Sequence, residues 1–218
     1  MNFETSKSLG GVGAILLFIS PLTGILTGFS TGIIGLIGLI LLLIGAYGLA
    51  QYYRESGIFN NMLYGTIVGI IGGVVAVIAA VYAAIALLPD FLYKVYPGWN
   101  GDWASLPNMM PDTNNINPSD IMPFIGIFLA LLVVLFVIAI VVALFYRKSF
   151  NQLSAKTGIG LFATTGTVLL VGAVLVIAFG LGLLLIWVSA LLLAIAFFQM
   201  RALPQPEPYT QTVPPSQM

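Results

Sequence analysis

The side chains best able to do acid–base or metal chemistry are concentrated in one stretch. Asp90, Asp102, Asp112 and Asp120 fall within PDFLYKVYPGWNGDWASLPNMMPDTNNINPSD, residues 89–120, against a single Lys94. Carboxylates act as general acid and base when they face each other across a cleft, and they hold hard cations when several oxygens converge. Neither pattern is complete here. Asp112-Thr113-Asn114-Asn115 begins like a calcium loop but lacks the central Gly and the closing Glu. The other Asp residues stand among Pro, Asn and Gly, which make turns. The chain has no Cys and no His. That removes thiol catalysis, thiolate metal sites, disulfides, the commonest general base and the usual haem ligands. No catalytic residue, metal ligand or cofactor contact is therefore assigned. Asn117-Pro118-Ser119 has Pro where a glycosylation sequon forbids it.

The elements that must position this stretch are apolar. The chain is 60% hydrophobic and 6% charged, whereas a soluble domain carries about 25% charged residues. A soluble fold of this length has no interior large enough for that apolar surface, so the composition implies an integral membrane protein. The formal net charge is zero, and no basic excess points to nucleic acid. The apolar runs divide into six transmembrane spans of about 9–27, 32–53, 58–88, 121–146, 158–179 and 183–200. The expected fold is all-α, a polytopic bundle of three hairpins over 1–201, with residues 89–120 as its outer loop. Helix 1 is broken from helix 2 at Gly28-Phe29-Ser30-Thr31-Gly32, and Pro21 should kink helix 1. Helix 3 is expected to stop at Pro89-Asp90. Residues 149–157 are expected to form a short interfacial turn. The tail 202–218, rich in Pro and Gln, is expected to be disordered and cytoplasmic.

One helix carries a distinct pattern. Gly65, Gly69, Gly72, Ala76, Ala79, Ala83 and Ala86 alternate steps of four and three residues, which places them in one stripe. Small residues let helix backbones approach closely in lipid, so helix 3 reads as the axis of the bundle. Ser56–Ala76 aligns without gaps on Thr157–Ile177, with Gly65/Gly166 and Thr66/Thr167 among the identities. Helices 2–3 then resemble helices 4–5 as parallel repeats. Gly166, Ala173 and Gly180 extend the small-residue stripe to helix 5, which predicts that helices 3 and 5 are equivalent core helices.

Six spans put Lys7, Arg54, Arg147, Lys148, Lys156 and Arg201 on one side, leaving only Lys94 on the other. The positive-inside rule then makes both termini cytoplasmic and the 89–120 loop extracellular, with Arg54, Arg147, Lys148, Lys156 and Arg201 as topology anchors.

SKSLGGVGAILLF, YYRESGIFNNMLYG, YRKSF, KTGIGLF, LLVGAVL and AIAFF together resemble an archaeal multi-pass membrane family known only as a domain of unknown function. The resemblance covers about 1–201. It implies an archaeal cell membrane and the same hairpin arrangement, and it brings no activity or functional residue. Two functions remain open. One is a non-catalytic accessory or scaffold subunit, or a homo-oligomer, that packs on a protein partner through small-residue faces; ionisable groups are absent from its spans, where transport and proton relay usually need them. The other is a small transporter or channel for a neutral solute or ion, with Asn60, Asn61, Tyr64, Thr66, Thr164, Thr165, Thr167 and Ser189 as pathway groups. A membrane enzyme is disfavoured by the missing nucleophile–base and metal sets.

Overall fold

The computed structural model describes residues 2–27, 31–112, 114, 116–177 and 180–202. The turn at 28–30, two of the four residues of the calcium-loop motif and nearly all of the tail lie outside the described residues. Among those described, the chain is all-helical. The long elements are α1 (Phe3–Thr27), α2 (Thr31–Tyr52), α3 (Ser56–Val95), α4 (Pro118–Thr157), α5 (Gly160–Leu175) and α6 (Leu181–Gln199). Five are long and apolar enough to cross a membrane, and α5 is the short one. The chain is thus a membrane protein built from antiparallel helices.

Each helix packs on its neighbours in sequence, and α6 returns to α1. The six therefore close into a ring. Phe3, Leu49, Ile58, Phe150, Phe162 and Phe197 fill its interior at the end bearing the two described termini. That end also carries Lys7, Arg54, Arg147, Lys148, Lys156 and Arg201, and is called the basic end below.

The closest helix crossings are not on α3. A Cβ added to Gly13 would lie 2.5 Å from the Leu42 amide nitrogen and 2.6 Å from the Gly38 carbonyl. One added to Gly45 would lie 2.5 Å from the Gly10 nitrogen. Between α5 and α6, a Cβ on Gly182 would run into the Gly172 carbonyl. These are backbone-to-backbone approaches of the kind small residues permit. The α3 stripe meets side chains of α4 instead. Gly65 lies under Tyr146 and Phe145, Gly72 under Ile138, and Gly69 makes ordinary contact with Val142. So α3 is a peripheral helix, not the axis. Nor do α3 and α5 pair: they flank α4, with Gly65 against Tyr146 and Gly166 against the Arg147 backbone.

Two helices outrun their expected ends. Each of α3 and α4 has 40 residues, about 60 Å at 1.5 Å per residue. Pro89 does not stop α3, which continues to Val95. The backbone hydrogen bond lost at a helical proline is offset by contacts with α4 just beyond it. Phe91 packs edge-on to Phe124 at 5.3 Å, and Lys94 pairs with Asp120. At the other end α4 does not break after Tyr146 but continues through 149–157. Ser149 is buried and donates to the Ile58 carbonyl at 2.5 Å, while Asn61 Nδ2 donates to Gln152 Oε1 at 3.2 Å. These bonds hold the segment against α3, so it has no reason to lie flat on a membrane.

The helix ends follow local chemistry. Pro118 opens α4, where a missing N–H costs nothing, and Asp120 accepts the Asn117 N–H at 3.0 Å. Gly158 closes it in a left-handed conformation with φ 73°. The 89–120 region beyond the helices is folded over itself. Trp99 is buried between Tyr93 and Trp103 and donates its indole N–H to the Asp102 carbonyl at 2.7 Å. Asp102 caps a 3-10 turn over Trp103–Asn108, and the Asp112 N–H donates to the Val95 carbonyl at 2.7 Å.

Candidate functional site

Above the packed basic end the helices leave a chamber of about 710 Å³ that is open to the outside, with exposed Leu22, Leu183 and Leu184 at its mouth. Leu17 and Pro21 of α1, Leu39 and Leu42 of α2, Tyr146 and Phe150 of α4, Thr165 and Leu169 of α5, and Trp187 and Leu193 of α6 are on its wall. No α3 residue is on its wall. The volume is that of a small-molecule pocket.

The wall has few polar groups, and each is turned onto the protein. Thr165 donates to the Leu161 carbonyl at 2.8 Å, and Ser189 to the Ile186 carbonyl at 2.6 Å. The Tyr146 hydroxyl shares a 2.7 Å hydrogen bond with Thr66. Trp187 donates its indole N–H to the Phe18 carbonyl at 2.7 Å, and its ring stacks on Phe18 at 4.8 Å with planes 3° apart. That carbonyl precedes Pro21 by three residues, near the place where a helical proline leaves a backbone acceptor without its usual donor. A cavity whose polar groups are already paired offers water little, and apolar cavities stay dry and accept apolar guests.

The expected pathway groups do not converge. Thr165 and Ser189 are on the wall, bonded as above. Thr164 and Thr167 donate to the carbonyls one turn back, at Gly160 and Ala163. Asn61 bridges α3 to α4, Tyr64 is half-exposed, and Asn60 is exposed at the basic end. The packing residues are similarly divided. Ala76 and Ala173 are buried, Ala79 and Ala86 are exposed, and Ala83 lies between. Gly180 is in no helix seam. It begins α6 with φ 78°, and a Cβ there would meet nothing within 4 Å. Of the basic anchors, Lys156 pairs with Glu55 at 3.3 Å, and Arg54 forms the left-handed link between α2 and α3. Among the described residues, no group of three or more acidic, His or Cys side chains could hold a metal.

The glycines at 10, 13, 38 and 45 and at 172 and 182 are the functional packing residues that the stripe on α3 concealed. Their signal was present, since α1 and α2 both carry glycines three or seven residues apart. A sequence does not show which glycine faces which.

An uncharacterized protein of Methanocaldococcus jannaschii is 22% identical over 200 residues, covering 92% of this chain and 94% of that one. No solved structure matches. The family described as "Protein of unknown function (DUF996)" matches residues 34–191, from early α2 to within α6. The ring of helices around the chamber therefore belongs to a protein of the DUF996 family.

Proposed function

We propose that the protein is a non-catalytic, six-span membrane protein that holds the hydrocarbon part of a lipid in the chamber of its helix ring. The observation that carries this reading is the wall itself: it is apolar, and its polar side chains are all bonded to the protein. The non-catalytic part rests on composition, which offers neither His nor Cys. Six crossings would put both termini on one side, and the positive-inside rule supports the cytoplasm for it. The parallel repeat rests on the gapless match of residues 56–76 to 157–177.

The test is to purify the protein in mild detergent and weigh it intact. Retained lipid of about one per chain is expected, and Ala190→Phe, which narrows the chamber from α6, should lower it. A wild-type protein that carries no lipid, or carries it equally with Ala190→Phe, overturns the reading. A saturable flux of a polar solute through liposomes would favour the transporter instead.

A second reading, as an accessory subunit or homo-oligomer, draws on one further observation. Tyr82 and Ile85 on the distal half of α3 are 75% and 69% exposed, and Ala79 and Ala86 of the stripe are exposed beside them. That face can meet another membrane helix. Co-purification of a stoichiometric partner, lost when Ala79 and Ala86 are both changed to Leu, would support it.

A further inference from the structure

One group in the structure lacks the partner that burial demands. Arg147 Nε is buried and hydrogen-bonded to nothing among the described residues. Arg147 and Lys148 stand where the apolar run of α4 ends, ten residues before the helix does. With Leu144, Asn151, Gln152 and Ala155 they line a notch of about 420 Å³ on α4. The described carboxylates at this end are engaged elsewhere, Glu4 with Lys7 and Glu55 with Lys156. Neither Arg147 nor Lys148 forms an ion pair among the described residues. The notch thus presents two cations and two carboxamides and no acid.

The surface that continues from the notch says what kind of anion fits. Val133, Val137 and Leu144 share its helical face, at spacings of four and seven residues. They are 58%, 53% and 49% exposed. A molecule with a phosphate in the notch would therefore lay its chains along an apolar row of the same helix. Arg is suited to bidentate recognition of phosphate, and Lys148 adds an exposed cation beside it.

We propose that Arg147 and Lys148 form a binding site for the phosphate of an anionic phospholipid headgroup, its chains lying on the Val133–Val137–Leu144 row. The site is on the outer face of α4 and is independent of the chamber.

Native mass spectrometry of the full chain in detergent tests this, by titrating phosphatidylglycerol against phosphatidylcholine. The wild type should prefer the anionic lipid. Arg147→Gln with Lys148→Gln should lose roughly thirtyfold of that preference, the contribution of two cations near a membrane surface. Lys148→Gln alone, at an exposed position, should lose roughly fivefold without touching the fold. Arg54→Gln should keep the preference, and so should Ala190→Phe. Equal losses in Arg54→Gln and the notch variants would mean a diffuse basic surface and overturn the site. Competition by millimolar inorganic phosphate would mean a free-anion site and overturn the lipid assignment.

Discussion

Arg54 is the only described non-glycine residue with a left-handed backbone, at φ 51°. It closes α2 as glycine usually does: the Glu55 N–H donates to the Ala50 carbonyl and the Arg54 N–H to the Gln51 carbonyl. A side chain there costs about 1 kcal/mol. Arg54→Gly should therefore stabilise the fold by about that amount and raise the unfolding midpoint, and an unchanged or lowered midpoint would show that the charge matters more than the turn. Gly158 gives the opposite case. It sits at φ 73° with open space around it, so Gly158→Ala should cost about 1 kcal/mol through backbone strain alone. The apolar residues declared their environment in the sequence, because composition alone requires lipid. The buried Nε of Arg147 did not, since the burial of one side-chain atom depends on packing that hydropathy does not show.

Pairs of helices are held by two different means. In α1–α2 and α5–α6 the backbones touch, and glycine is required. Gly13→Val should cost about 3 kcal/mol, the upper range for overpacking, whereas Gly73→Ala should be nearly neutral because nothing lies within 4 Å of its Cβ. Thermal melting in detergent would compare them, and equal losses would refute the seam. In α3–α4 side chains do the work, with hydrogen bonds near the basic end and an ion pair at the far end. The Lys94 hydrogen bond holds the Asp120 carboxyl below its ordinary range, helped by the Asn117 N–H. A carboxylate with a lowered folded pKa stabilises above its unfolded value, near 4, and that contribution fades as pH falls through the lowered one. Acid below about pH 4 should thus loosen the far end of α3–α4 first, read as faster amide exchange around Lys94. Lys94→Gln should loosen the same end already at neutral pH and shrink its acid dependence. The stripe on α3 was legible as a packing face, and half of it packs. Its partner was not legible, because a 3.5-residue period marks a face and not what lies opposite. Pro89 misled for a related reason, as a proline penalty of about 3 kcal/mol can be offset by the contacts that α4 offers at Phe124 and Asp120.

The whole molecule is a ring that is closed by packing at its basic end and hollow above it. The helix count and the grouping of basic residues followed from hydropathy and charge. The hollow did not, because the same leucines and valines line a chamber, fill a core or face lipid. Only the ring closure of α6 on α1 separates the three. The most direct test uses Trp187, which stands on the chamber wall. With Trp99 and Trp103 changed to Phe, it is the sole tryptophan of the chain. In detergent, a phospholipid brominated on its chains should quench Trp187 and saturate near one lipid per chain, and Ala190→Phe should abolish the saturable part. Quenching that rises without saturation and is unchanged by Ala190→Phe would show that no chamber holds the lipid.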